Sequence, residues 1–194
     1  MNDRLIFRAY FENLCLYTPE GEKYYKSFML EGVVLFYNRE VGCYKEDFEE
    51  QLTKQGFDEY EKEQIIDDYE ISMSGDDLED WVNFKADYVE QSIGLKDKNG
   101  TCIFEGDIIK KPYNDFYEYA IHVISWENGA YTTKRCLAIK DNKSGALKDC
   151  SNGGFCFSAH ITQELADSFE VIGNIHQNKN MLTFETLESA LNNE

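Results

Sequence analysis

Proline, histidine and positive charge are all scarce in this chain, and each scarcity closes off a class of function. Only two prolines occur in 194 residues, and no Ser/Pro tract is present, which argues against a disordered linker protein. Three histidines, His122, His160 and His176, stand without a Gly-x-Ser-x-Gly elbow, so nucleophilic catalysis has little to work with. Neither Gly-x-Gly-x-x-Gly nor a Walker-type lysine motif appears, so no phosphate cradle and no cofactor are expected. Nineteen Lys and Arg face 37 Asp and Glu, a net charge of −18. Phosphate backbones and anionic membranes repel such a chain, which speaks against direct nucleic-acid or membrane partners. Basic proteins, including the basic grooves of nucleic-acid enzymes, attract it. The N-terminus lacks the apolar run of a secretory signal, and no stretch reaches the length of a membrane span. The six cysteines include no Cys-x-x-Cys pair. Cys15, Cys102 and Cys156 sit among apolar or aromatic neighbours, as reduced thiols do, so a cytoplasmic protein is expected.

What is abundant is aromatic side chain. Thirteen Phe, thirteen Tyr and two Trp make 14% of the residues, enough large rings to build a core despite an apolar fraction of 42%. The acidity is concentrated. Between Glu40 and Glu90 lie 18 acidic and four basic residues, so this span carries −14 and the remaining 143 residues only −4.

The hydrophobic period divides the chain. Leu5–Tyr10, Leu14–Tyr17, Tyr24–Leu30 and Val33–Tyr37 read as strands of a β meander, the last two separated by Glu31-Gly32. Tyr44, Phe48 and Leu52 recur every four residues, as on one face of a helix. Gly56 is a plausible stop, and Asp58 with Glu61 forms a box-like start for a second helix with Ile65, Ile66 and Tyr69 as its stripe. Ser72–Asp80 reads as a polar loop. From Trp81 the period returns to two. Asn99-Gly100 and Asn128-Gly129 mark tight turns, Glu105-Gly106 a bend or bulge, and residues 140–154 a loop. Phe155–Phe157, Phe169–Ile175 and a closing helix over Leu182–Leu191 complete the set. Short strands with tight turns suggest a small barrel. The expected fold is α+β, mainly β: a β segment at 1–39, an acidic helical insertion at 40–80, and a small barrel with a C-terminal helix at 81–194.

Four blocks resemble one family. Arg4-Leu5-Ile6-Phe7-Arg8-Ala9-Tyr10 is similar to the opening of YopX-like proteins. Ile93-Gly94-Leu95-Lys96-Asp97-Lys98-Asn99-Gly100, continuing through Ile103-Phe104-Glu105-Gly106-Asp107-Ile108-Ile109, resembles the family's central signature. Ser125-Trp126-Glu127-Asn128-Gly129 and Glu170-Val171-Ile172-Gly173-Asn174-Ile175-His176 resemble two later motifs. Ile93 stands in place of the usual Thr and Phe104 in place of the usual Tyr, so two hydroxyls are missing. The acidic span after Arg39 is longer than is typical. The resemblance implies a bacteriophage or prophage origin and an SH3-like C-terminal barrel. It implies no activity and no catalytic residue.

Candidate sites follow from residue chemistry. Cys150, Cys156 and His160 are spaced by five and three residues, too loosely for a structural zinc site, and no metal is assigned. Asp97-Lys98-Asn99-Gly100 has its Gly at the wrong place for a calcium loop and reads as a turn. Two surfaces remain as partner-binding candidates. One is an acidic face: Glu46, Asp47, Glu49, Glu50, Asp58, Glu59, Glu61, Glu63, Asp67, Asp68, Asp76, Asp77, Glu79 and Asp80. It reads equally as a solvated helical face or as a mimic of nucleic-acid phosphates. The other is a loop crowded with rings, Tyr113, Phe116, Tyr117 and Tyr119, with Trp126 and Tyr131 as further groove candidates. The first expectation is a non-enzymatic accessory protein that binds a basic host or phage protein, in its sharper form a host defence or DNA-handling enzyme. A homo-oligomeric assembly protein and an enzyme with a small substrate at the barrel mouth are the alternatives.

Overall fold

The computed structural model describes residues 6–35, 40–68, 81–150 and 160–191. Contacts divide the chain into two compact units, Met1–Gln91 and Ser92–Glu194. Strands β1 (Phe7–Tyr17), β2 (Lys23–Leu35) and β3 (Glu40–Tyr44) precede helices α1 (Lys45–Lys54) and α2 (Glu59–Asp68), and β4 (Trp81–Lys85) and β5 (Tyr88–Lys96) follow them. The second part continues through β6 (Cys102–Phe104), β7 (Asp107–Pro112), β8 (Tyr117–Glu127), β9 (Ala130–Asp141), β10 (Leu147–Asp149), α3 (Gln163–Ala166), β11 (Glu170–Asn174) and α4 (Phe184–Leu191). Mainly β, the chain forms two antiparallel sheets, with strand orders β4-β3-β2-β1-β5-β6 and β10-β9-β8-β7-β11. Neither sheet closes on itself among the described residues.

In the first unit the meander is present, but with fewer and longer strands than the sequence suggests. Glu31-Gly32 does not break β2. Gly32 takes φ +71° and absorbs a register shift opposite Phe7 and Arg8 as a bulge. Asn13, at φ +52°, lies at a second shift that joins Phe11 to Leu14 in one strand. Strands β3 and β4 pair directly from Glu40–Lys85 to Tyr44–Trp81, so the two helices are inserted between hydrogen-bonded neighbours. Phe48, Leu52 and Ile65 are fully buried against the inner face of the sheet, where Phe11 and Phe28 stack at 4.5 Å. Phe48 and Phe57 meet the edge of Phe28 at 6.3 and 5.8 Å. Each such ring contributes roughly 1.5–3 kcal/mol by leaving water. Tyr44 is not part of this stripe: it is the residue before α1, extended and 60% exposed. The two-residue period that begins at Trp81 is interrupted at Ala86-Asp87, between β4 and β5, where the Asp87 carboxylate accepts from the Glu12 amide at 2.7 Å.

The second unit is organised by β8 and β9, joined through the Asn128-Gly129 turn. Both turn residues have positive φ, 51° and 85°, as the mirror-image hairpin turn requires. One face of this sheet buries Ile108, Ile121, Val123, Leu137 and Ala138 beneath Leu187 of α4. Ile109 and Ile124 pack with Ala166 and Phe169 in another cluster. Two elements were invisible to periodicity: β10, within the expected 140–154 loop, and the one-turn α3, whose start is capped by the Thr162 hydroxyl accepting from Leu165 N–H.

Candidate functional site

The acidic hairpin is a fixed platform. Asp58 and Glu61 form a reciprocal capping box: Glu61 N–H donates to the Asp58 carboxylate at 2.8 Å, and Asp58 N–H to the Glu61 carboxylate at 2.9 Å. Gly56, at φ +81°, makes the turn between the helices. Lys26 of β2 then clamps that turn. Its ammonium donates to the Gly56 carbonyl at 2.9 Å and to the Glu61 carboxylate at 2.8 Å, and it lies 3.9 Å from the Phe57 ring centroid.

Three glutamines complete the attachment. Gln51 accepts from Glu31 N–H and donates to the Glu31 carbonyl, at 2.7 and 3.0 Å. Gln55 brackets Met29 in the same way at 2.9 and 2.6 Å, and Gln64 brackets Tyr17 at 2.8 and 2.9 Å. Each amide matches one peptide group on a strand edge, so polar backbone that would otherwise face water or another chain is satisfied. Sequence reasoning missed these glutamines. The only available signal was a Gln within reach of the strand on the buried side of a helix.

The carboxylates divide into those that face inward, those that are paired, and those that are open. Glu61 is buried, not on the outer face. Burial by itself raises its pKa, but hydrogen bonds from Lys26, the Asp58 backbone and Tyr24 overcome that and hold it below the usual value. Tyr24, desolvated and facing Glu61, is pushed up to about 12. Glu49, Glu50 and Glu59 pair with Lys45, Lys54 and Lys62 on the same helices. Glu46, Asp47, Glu63 and Asp67 are exposed, with no cation beside them among the described residues. Asp58 is exposed but occupied as the cap. For Asp68 only the backbone is described, and Asp76, Asp77, Glu79 and Asp80 lie outside the described residues.

The ring-rich segment resolves differently. Tyr117 and Tyr119 belong to β8, and Tyr113 and Tyr117 meet edge to face at 6.0 Å while packing on Ala120, Cys136, Ile139 and Cys150. They are half-buried supports. Phe116 alone projects, 69% exposed, from a turn in which the Asn114 carboxamide accepts from Phe116 N–H at 2.9 Å and Tyr117 N–H at 3.1 Å. Asn142 braces the same turn through the Phe116 and Asp115 carbonyls, each at 3.0 Å. Trp126 is 53% exposed and meets Tyr131 edge to face at 4.7 Å.

The signature residues hold turns. Asp97 is 4% exposed, and its carboxylate accepts from Asn99, Thr101 and Val171 N–H at 2.8, 2.9 and 3.0 Å. Burial would raise its pKa, but these backbone donors win and lower it. Asp107 accepts from Phe104 N–H at 2.8 Å, so Glu105-Gly106 is a locked bend. Gly173 passes so close to Asn178 that a Cβ would lie 2.5 Å from its Oδ1, the atom that accepts from Asn174 N–H.

Cys150 is buried, His160 is exposed at a bridge to Thr132, and Cys156 lies outside the described residues. No His, Cys, Asp or Glu trio among the described residues is gathered for a metal ion. His122 is buried between β7 and β9. Burial first, and the Lys111 ammonium second, bring it down to about 4, with the Thr133 backbone opposing part of that shift. Neither ring nitrogen reaches full hydrogen-bond geometry among the described residues.

A family model described as YopX protein matches residues 23–183. Among solved structures, that of protein EF1440 from Enterococcus faecalis is similar at 22% identity, with 91% of this chain and 97% of that chain covered and a TM-score of 0.36. The search of curated proteins returns no match.

Proposed function

The chain belongs to the YopX family, and from that premise we propose that it is a non-enzymatic accessory protein of a bacteriophage or prophage whose acidic hairpin binds a basic protein. The observation that carries this reading is the set of open carboxylates, Glu46, Asp47, Glu63 and Asp67, on helices fixed by three glutamine brackets and the Lys26 clamp. These contacts fix the helix backbone that carries the carboxylates, so their spacing is set before encounter and less ordering is left to binding. Glu63 and Asp67 are one helical turn apart, about 6 Å along the axis, a spacing suited to a row of basic side chains. The sharper form of the proposal is phosphate mimicry: the hairpin occupies the nucleic-acid groove of a host defence or DNA-handling enzyme in the bacterial cytoplasm.

In this reading the Ser92–Glu194 unit is an SH3-like scaffold, a view supported by its antiparallel β7-β8-β9 meander and Asn-Gly turn. Among the described residues no helix is long and apolar enough to cross a membrane. Capture from bacterial lysate tests the proposal, using wild type and a variant with Glu46, Asp47, Glu63 and Asp67 changed to their amides. A basic protein retained by wild type at low salt, and lost both at high salt and with the variant, is the expected result. Equal retention by the variant removes the hairpin from the mechanism. Phe116, presented on a braced turn, favours a second reading, an assembly protein that contacts its own copies. A concentration-dependent increase in mass that Phe116→Ser abolishes would support that one.

A further inference from the structure

A second surface lies within the Ser92–Glu194 unit, independent of the acidic hairpin. Between β7, β8 and β11 is an open pocket of about 370 Å³ lined by two lysines, Lys98 and Lys110, and two carboxylates, Glu118 and Glu170, around Pro112, Tyr119 and Ser168. Its size falls within the range of small-ligand sites. Its charges are arranged in a particular way. Within the lining Lys98 pairs with Glu170 at 2.9 Å, and Glu118 pairs at 3.1 Å with Lys140, which stands outside the pocket and 5.3 Å from the Tyr119 ring centroid. Lys110 makes no ion pair among the described residues, its cross-strand neighbour Glu170 being paired with Lys98. Its ammonium sits 4.5 Å from the centroid of the Tyr119 ring instead. With Lys140 counted against Glu118, Lys110 is the cation left over, above a phenol ring and in a lining that includes Pro112.

The position follows from the sheet. Lys110 stands opposite Ile121 on β8 and Glu170 on β11, and Pro112 stands opposite Tyr119, so the ring, the ammonium and the proline share one side of the ladder. Tyr119 also packs on the apolar cluster of Ile121 and Leu187, which fixes its orientation. A cation over a ring gains about 0.5–1 kcal/mol at an exposed site. A carboxylate or phosphate in contact with the same ammonium gains more. The lysine is thus held in place by an interaction that a ligand can outcompete.

We propose that this pocket binds a small anion, one carboxylate or phosphate group on a flat apolar body, with Lys110 taking the charge and Tyr119 and Pro112 the body. Such a group occurs on a free metabolite-sized molecule and at the C-terminus of a peptide ending in an aromatic residue. The ion pairs disfavour ligands of higher charge, since neither Lys98 nor Lys140 is available without breaking its bond to a carboxylate.

Backbone amide NMR on the full chain tests this, with sodium benzoate, phenyl phosphate and benzyl alcohol as probes. The two anions are expected to shift the resonances of Lys110, Tyr119 and Ser168 along a saturating curve, and benzyl alcohol, the neutral control, to leave them in place. Lys110→Met is expected to weaken benzoate by about tenfold or more, and Lys110→Arg by less than about threefold. A pair of Gly-Gly-Phe peptides, one with a free C-terminus and one amidated, separates the sources. Saturation by the free form at lower concentration than benzoate assigns the site to peptide termini, and the reverse order to free anions. Equal shifts from benzyl alcohol, shifts mapping elsewhere, or unchanged affinity in a folded Lys110→Met protein overturns the proposal. The comparison of anion with alcohol needs no variant, so it decides the matter even if Lys110→Met does not fold.

Discussion

Replacing Asp97 by Ala removes one carboxylate and leaves three backbone donors, Asn99, Thr101 and Val171 N–H, without their acceptor. Hydrogen bonds to a charged group contribute roughly 1.5–3 kcal/mol each, and buried donors left unmatched are costly. The exposed position of Asn99 and Thr101 lets water recover part of the loss. A net destabilisation of about 3–5 kcal/mol is expected, a large fraction of a typical 5–15 kcal/mol total. Asp97→Asn keeps one acceptor but turns an amide N–H toward a donor, and should cost about 2–3 kcal/mol. Urea unfolding followed by tryptophan fluorescence gives both values from the shift in midpoint at constant slope. The difference also has a pH signature. The folded carboxyl has its pKa lowered from 3.8, so its contribution is complete above that ordinary value and is lost as pH falls through the lowered one. The gap between wild type and Asp97→Asn should therefore be constant near neutrality and shrink in acid. An Asp97→Ala protein with the wild-type midpoint, or a gap that does not respond to acid, would refute the assignment of this signature residue to structure.

Gln55→Leu leaves the Met29 peptide group unbracketed; about 1–3 kcal/mol of stability should be lost, and the Met29 amide should exchange faster with solvent, as read by hydrogen exchange. Gly173→Ala forces its Cβ against Asn178 Oδ1, 2.5 Å away, and should cost about 1–3 kcal/mol in the same urea assay, because Asn178 cannot swing aside without abandoning Asn174 N–H. His122, lowered from 6.5 to about 4, should show no ring titration by NMR between pH 5.5 and 8. Its unfolded form binds the proton first, so stability is complete above about 6.5 and falls toward pH 4 by roughly 1.4 kcal/mol per unit; His122→Gln should flatten that slope.

Local chemistry in the sequence foretold much of the architecture. Phe48 and Leu52 four residues apart, Ile65 in the stripe of the second helix, the Asp58–Glu61 box and Gly56 specify the hairpin, because each is a short-range signal. Asn128-Gly129 specifies its turn for the same reason. Three features depend on distant partners and could not be read. Glu61 looks like one more surface acid until Lys26 and Tyr24, more than thirty residues away in sequence, are brought beside it. Tyr117 and Tyr119 look like loop rings until β7 and β9 pair on either side of them. The open pocket at Lys110 exists only once β11 has returned to β7. Charge excess alone could not separate open carboxylates from paired ones, because the pairing lysines 45, 54 and 62 sit within the same acidic span.

Competition with DNA tests the central proposal most directly. A basic DNA-binding protein captured by the wild-type chain is mixed with a fluorescent 20-base-pair duplex, and anisotropy is followed as the acidic protein is added at 100 mM salt. Displacement of the duplex at stoichiometric protein, weakened about tenfold or more when Glu46, Asp47, Glu63 and Asp67 become amides and suppressed by added salt, is the predicted result. A ternary complex that retains the duplex, or undiminished displacement by the amide variant, would contradict the assignment of this hairpin as a phosphate mimic.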